Sequence, residues 1–281
     1  MTQLQGHQAR KRFGQNFLVS PGVIRKIVDA VAPRAADTVV EIGPGLGALT
    51  DPLLAQLEHL HVVEIDRDLI IRLRERFGPE RLTIHEGDAL KFDFGALKGA
   101  GPLKIVGNLP YNISSPLLFH LADYGDRVAE MHFMLQKEVV DRMVAAPGTG
   151  DYGRLSVMLQ VRFYMERLFI VPPGSFNPAP KVDSAVVRMI PLPTPKVDAD
   201  GTLSDPELFA KLVATAFSQR RKMLRNTLKD FGGEALLEEQ CLLPTARAEE
   251  LAVKDFIRLA NALSAKKNSL QGGGDPPEAI C

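Results

Sequence analysis

An apolar run in this 281-residue chain stops on Asn108 and continues Leu-Pro-Tyr, in the stretch IVGNLPYNISS from Ile105 to Ser115. A plain turn needs no such combination, because Asn-Gly or Pro-Gly reverses a chain more cheaply. The side-chain oxygen of Asn108 and the carbonyl of Leu109 offer two hydrogen-bond acceptors in adjacent residues, Pro110 stiffens the turn that aims them, and Tyr111 adds an aromatic face. Together they suit an exocyclic amine. The lone pair of such an amine is delocalised into its base, which makes the group a poor nucleophile. Acceptors aimed at the amine hydrogens favour a pyramidal nitrogen with its lone pair free, and preorganised polar groups of this kind act where charge develops in the transition state. Stacking the base on an aromatic ring adds about 1–3 kcal/mol. No tuned general base is required, since the protonated product can lose its proton to water, and proximity and alignment carry most of the acceleration.

Three further motifs precede this one. EIGPGLGALT, Glu41 to Thr50, carries Gly43, Gly45 and Gly47, which let the backbone turn sharply and approach a ligand closely. GPGLGA also satisfies the dinucleotide pattern, so this loop alone leaves a nicotinamide cofactor and S-adenosylmethionine both open. Glu64, closing VVEID, is the expected acceptor for the ribose hydroxyls of either. Asp88 in HEGDAL, with Ala89 beside it, can accept from the amine of an adenine held between apolar side chains, Ile65 among them. A bound adenosine follows, and a methyl donor facing Asn108 makes sense of the set.

The elements that must position these residues are legible in the apolar pattern. Runs at Thr38 to Ile42, His61 to Ile65, Leu82 to His85, Lys104 to Val106 and Met131 to Leu135 are apolar on both sides, and helix-like stretches such as LTDPLLAQL and RDLIIRLRERF separate the first three. That alternation predicts an α/β fold with a parallel sheet covered on both faces and the four motifs at one sheet edge. SPGVIRKIVDAVAP predicts an amphipathic helix capped by Ser20 with Pro21 at its first position. After Asp151 a helix and two strand candidates flank a proline-rich loop, closing the sheet with antiparallel strands. The expected domains are residues 1–192, a linker at 193–205, a small helical domain at 206–265 and a disordered tail at 266–281.

Composition narrows the class. Lys+Arg and Asp+Glu are both 34 and 45% of residues are hydrophobic, so net charge points to neither nucleic acid nor membrane and a large core is available. Two cysteines, Cys241 and Cys281, form no disulfide framework and fit a reducing compartment, with the cytoplasm as the expected location. The N-terminus lacks the apolar core of a signal peptide, and no window is long and apolar enough for a membrane span. Of six histidines only His59 and His61 are close in sequence, without a third ligand at a recognisable spacing, and no metal is expected.

KRFGQNFL (Lys11 to Leu18), EIGPGLGALT, VEID, GDAL, NLPYNISSP, MLQKEVVDRM, FNPAPKVDSAVV (Phe176 to Val187) and FSQRRKMLRNTL (Phe217 to Leu228) occur in this order. The set resembles the small-subunit ribosomal RNA adenine N6,N6-dimethyltransferases over roughly residues 7 to 262. The resemblance implies a Rossmann-like class I methyltransferase sheet with a small C-terminal helical domain, S-adenosylmethionine as cofactor, and transfer of two methyl groups to N6 of adenines in small-subunit ribosomal RNA. It implies cofactor contacts at Gln15, Asn16 and Leu18, in a segment that closes over the donor, and at Gly43, Glu64, Asp88 and Asn108. It also implies amine-binding roles for Asn108, Leu109 and Tyr111, and an aromatic at Phe176 that stacks on the target adenine from the opposite side.

An adenine in structured RNA must leave its stack to reach such a cleft. From Leu208 to Lys229 there are six basic residues and no acid, among them Arg220, Arg221, Lys222, Arg225 and Lys229. Arg221, Arg225 and Lys229 recur at helical spacing, which predicts a basic stripe on one helix face, able to grip phosphates without reading sequence. The ARKRFG segment is a second candidate contact. The competing readings are a large-subunit ribosomal RNA methyltransferase, a non-enzymatic RNA-binding assembly or transcription factor, and a nicotinamide dehydrogenase. A monomer is the expected state.

Overall fold

The computed structural model describes residues 3–4, 7–8, 15–97, 103–110, 113–192 and 203–271. Tyr111, the basic segment at 9–14, residues 193–202 of the expected linker and the end of the tail at 272–281 lie outside the described residues.

The chain forms two compact units, Met1–Val144 with Arg162–Pro193, and Ala145–Val161 with Thr194–Cys281. In the first, short strands β1 (Gln3–Leu4) and β2 (His7–Gln8) pair with each other, and β3 (Phe17–Leu18) leads into α1 (Pro21–Val31). There follow β4 (Thr38–Ile42), α2 (Thr50–Leu54), β5 (Leu60–Glu64), α3 (Arg67–Arg76), β6 (Leu82–Glu86), β7 (Leu103–Asn108), α4 (Ser114–Ala122), β8 (Val128–Gln136) and α5 (Lys137–Val144). The chain then leaves for the second unit with α6 (Arg154–Gln160) and returns to the first with β9 (Phe163–Val171), β10 (Phe176–Asn177) and β11 (Ser184–Pro191).

Seven strands make one sheet in the order β6-β5-β4-β7-β8-β11-β9. The pairs from β6 to β8 are parallel, whereas β11 runs antiparallel to β8 and to β9. Every residue of β4 is buried, as expected for a central strand with apolar side chains on both faces. Strand order reverses between β4 and β7, and ligands bind open α/β sheets outside the strand ends at such a point. Pro21 stands in the first turn of α1 as expected, but Ser20 makes no side-chain capping bond.

The second unit holds α6, α7 (Pro206–Ala216), α8 (Leu224–Thr227), α9 (Gly233–Glu239) and α10 (Val253–Gln271). It begins earlier than the sequence reading placed it. Tyr152, Val157 and Val161 are buried in one cluster with Phe209, Leu212 and Phe256, so the α6 segment shares the helical core rather than the sheet's. α10 also runs to Gln271, past the expected start of the tail at residue 266, and Lys266 pairs with Glu239.

The expected basic stripe is not one helix face. Met223 is extended and bridges Arg247, and Leu224 and Arg225 donate their N–H groups to Ala246 and Pro244. These bonds to a distant segment interrupt the helix, leaving single 3-10 turns at Phe217–Gln219 and Lys229–Phe231 on either side of a four-residue α8.

Candidate active site

The site is made by chain leaving strand ends. Gly43 N–H donates to Val63 O at 2.9 Å, Gly87 N–H to Glu64 O at 2.9 Å and Leu109 N–H to Met134 O at 3.1 Å. Each loop therefore adds one rung to its neighbouring strand before it departs, which fixes the position of the residue beside it. Gly43 and Gly45 have φ of +66° and +60°, a left-handed conformation that residues with a Cβ reach at a cost of about 1–2 kcal/mol. A Cβ on Gly45 would lie 3.2 Å from the Phe17 ring.

Two adjoining cavities open along this edge. The first, of about 210 Å³, is lined by Gln15, Asn16, Phe17, Gly43, Gly45, Glu64, Ile65, Asp88, Ala89, Asn108, Leu109 and Pro110, among others. The second, of about 320 Å³, shares Phe17, Gly43, Gly45 and Asn108 with it and adds Leu18, Glu41, the rest of the glycine turn and Asp51. The fold thus gathers the residues expected from Gln15 to Leu109, with Leu18 lining the second cavity.

Glu64 is buried, and desolvation pushes its carboxyl above the ordinary carboxylate value while backbone N–H groups of Asp66, Ile65 and Gly45 pull it back. Its Oε1 accepts from Ile65 and Asp66, both at 2.8 Å, whereas Oε2 has only a 3.4 Å contact from Gly45 N. Oε2 is the better placed to take ribose hydroxyls. Asp88 Oδ1 accepts from Leu90 N–H at 3.0 Å in a turn, so the turn draws on one of its two oxygens. Ile65 is 49% exposed on the cavity wall, an apolar surface for a flat base.

Asn108 Nδ2 donates to Asn16 O at 2.9 Å. With its amide nitrogen committed, the side chain is held in one orientation and Oδ1 is the acceptor on the other side. Gln15 Nε2 donates to Asp66 Oδ2 at 3.0 Å, so the Gln15–Leu18 segment is tied to the sheet edge twice.

Phe176, to which the resemblance gives a stacking role, is 5% exposed, packs in a cluster with Leu18, Val171 and Val186, and lines neither of these two cavities. Pairing of β10 with β3 sets Phe176 opposite Leu18 and turns the ring inward. In the second unit Arg220 is engaged, its Nε on Glu249 Oε2 at 2.7 Å and its guanidinium on Gly150 O. Arg221, Lys222 and Lys229 are exposed and Arg225 is half-buried. The sequence reading passed over Phe17, Asp66 and Gly107. Asp66 was detectable as an N-cap, and its Oδ1 does accept from Asp68 N–H at 3.1 Å.

Charge decides what the cavities fit. Glu41, Asp51, Glu64 and Asp88 line them, and among the described residues no lysine or arginine does. An adenosine carrying a positively charged sulfonium and an amino-acid tail fits the donors and the field. Sheet order, glycine turn and site chemistry define a class I, Rossmann-like methyltransferase that uses S-adenosylmethionine.

The profile of the ribosomal RNA adenine dimethylase family matches residues 6–265. The chain belongs to this family. It is 63% identical over 260 residues, 92% of this chain and 96% of the relative, to a "Ribosomal RNA small subunit methyltransferase A" of Aromatoleum aromaticum. A crystal structure of a dimethyladenosine transferase from Plasmodium falciparum is similar at TM-score 0.74 and 29% identity, covering 89% of this chain and 98% of that one. The 23S rRNA methyltransferase ErmE is similar at TM-score 0.66 and 26% identity, covering 89% of this chain and all (100%) of that one. No helix among the described residues is long and apolar enough to cross a membrane.

Proposed function

We propose that this enzyme transfers two methyl groups to N6 of adenines, adjacent adenosines by family likeness, in small-subunit ribosomal RNA. It acts during ribosome assembly in the cytoplasm, as a monomer. The observation that carries the reading is the Asn108 amide, oriented by its bond to Asn16 O at 2.9 Å on the rim of the acidic cavity. Identity to the small-subunit relative, 63%, far exceeds the 26% shared with the 23S rRNA enzyme, which favours the small-subunit substrate.

S-adenosylmethionine supplies a methyl group on a positively charged sulfur. In this reading Ile65, Asp88 and Ala89 hold its adenine, Glu64 its ribose, and the Gly43–Gly45 turn its remaining length. Asn108 Oδ1 and the Leu109 carbonyl accept the two amine hydrogens of the target adenine, drawing its lone pair out of conjugation. Tyr111 offers the stacking face, while Phe176 supports the site from the core. After transfer the nitrogen's proton leaves to water. Arg221 and Lys222 in the helical unit grip RNA phosphates.

The test is incubation with unmethylated small subunits, and in parallel with large subunits, followed by nucleoside analysis of the RNA. N6,N6-dimethyladenosine is expected in the small-subunit RNA alone. Its absence there, with cofactor binding demonstrated, rejects the proposal, and its appearance only in large-subunit RNA reassigns the substrate.

A further inference from the structure

Arg76, the last residue of α3, lines neither cavity, yet its Nη1 donates to Leu46 O at 2.6 Å and its Nη2 donates to Asp51 Oδ2. Arg74, in the same helical turn, pairs instead with Glu86 of β6. The two acceptors of Arg76 stand on either side of the junction between the glycine turn and α2. That junction has little to hold it locally, because α2 has five residues and Leu49 at its N-cap makes no side-chain capping bond. A guanidinium presents its donors in a rigid fork, so one side chain fixes both ends of the Leu46–Asp51 segment at once. The fork is steadied in turn by the Phe77 ring, whose centroid lies 5.0 Å from Arg76 Cζ.

Gly47 belongs to this contact. Its φ is +85°, and a Cβ added there would lie 2.9 Å from Arg76 Nη1. The guanidinium occupies the space that a side chain would take. Gly43 and Gly45 stand on the wall that both cavities share, whereas the missing side chain at Gly47 admits Arg76.

With adenine at Ile65 and Asp88 and ribose at Glu64, the amino-acid end of S-adenosylmethionine continues past Gly43 and Gly45 toward Leu46, Gly47 and Asp51 of the second cavity. We propose that Arg76 is a positioning residue for that end of the cofactor: from outside both cavities it holds the Leu46–Asp51 junction in the shape that receives the ligand. The assignment rests on the cofactor placement above and names a residue which that placement does not require. The charge of Arg76 acts in the opposite direction, because it offsets Asp51 and so lessens the attraction of an acidic cavity for a cationic ligand. The side chains of this pair are 39% and 52% exposed, so added salt screens the charge effect while the bond to Leu46 O persists.

The experiment is calorimetric titration of the full chain, and of its Arg76→Met and Arg76→Lys variants, with S-adenosylmethionine at about 0.15 and 0.5 M salt. Methylthioadenosine, which keeps adenine and ribose but lacks the amino-acid end, is titrated in parallel. At the higher salt Arg76→Met is expected to bind the cofactor about three- to tenfold more weakly than the wild type, the range of a net hydrogen bond. Methylthioadenosine should bind that variant within about twofold of wild type, which shows that it is folded. Arg76→Lys keeps the charge without the fork and is expected to recover only part of the loss. In methylation of small subunits the KM for the cofactor should rise by the same factor, with kcat at saturation within about twofold of wild type. Equal cofactor affinity in wild type and Arg76→Met, an equal loss for both ligands, or full recovery in Arg76→Lys each overturns the assignment. Failure of the wild type to bind either ligand refutes the cofactor placement as well.

Discussion

Replacing Asn108 with alanine removes two interactions that the structure allows to be weighed separately. The first is Oδ1, the acceptor proposed for the target amine. Loss of one preorganised group of this kind costs about 2.7–4 kcal/mol, or about 10²–10³ in kcat. The second is the 2.9 Å bond from Nδ2 to Asn16 O, which ties the Gln15–Leu18 segment to the sheet edge. A net hydrogen bond is worth about 0.5–1.5 kcal/mol, which corresponds to about two- to twelve-fold in cofactor affinity. Gln15 still holds Asp66, so the segment keeps its other tie. The expected variant therefore binds S-adenosylmethionine within about tenfold of wild type but methylates small subunits about a hundredfold or more slowly at saturating cofactor. Titration calorimetry gives the first quantity and single-turnover methylation the second. A variant that loses less than tenfold in rate would falsify the amine-polarising role. If affinity collapses while the saturated rate survives, Asn108 serves the cofactor instead.

A Cβ at Gly107 would lie 2.7 Å from Ile42 O on the neighbouring strand, so Gly107→Ala should force β4 and β7 apart just before Asn108; a loss of about 1–3 kcal/mol in denaturant unfolding, together with reduced turnover, is expected. Arg221→Ala and Lys222→Ala should each reduce the salt slope of RNA binding by about 1, whereas Arg220→Ala, which breaks bonds to Glu249 and Gly150, should lower thermal stability and leave the slope alone. Stability should pass through a maximum in pH. Burial lowers His61 and His132 to about 4, so as pH falls from 6.5 the unfolded chain takes up protons that the native chain refuses, and stability drops. Glu41, raised to about 8, acts oppositely, because above pH 4.5 the unfolded chain sheds a proton the native chain keeps, and stability falls as pH rises. Urea unfolding from pH 5 to 9 tests both arms, and Glu41→Gln should flatten the alkaline one.

Much of the site was written in local pattern. The runs ending at Ile42, Glu64 and Asn108 are apolar on both sides, which is what a covered parallel strand requires, and each is followed by the turn chemistry that a strand exit needs. Glycines at 43 and 45 meet a left-handed backbone, a demand visible in one residue at a time. The order of the motifs then implied their meeting at one edge, because short crossovers bring consecutive parallel strands out on the same side.

What the tertiary structure alone decided depends on which distant backbones compete for the same hydrogen bonds. The packing of Phe176 comes from a distant segment, because β3 pairs with β10 and sets Phe176 opposite Leu18 in the core. The basic residues from Arg221 to Lys229 keep helical spacing in the sequence, but Met223, Leu224 and Arg225 take their partners from the segment around Pro244 to Arg247, and the stripe is broken. Glu41 looks like any strand residue until its neighbours are assembled and, among the described residues, the charged ones acting on it are acidic. Periodicity reports what a residue can do beside its sequence neighbours, whereas burial, pairing and charge at these positions were set by residues that only the fold brings near.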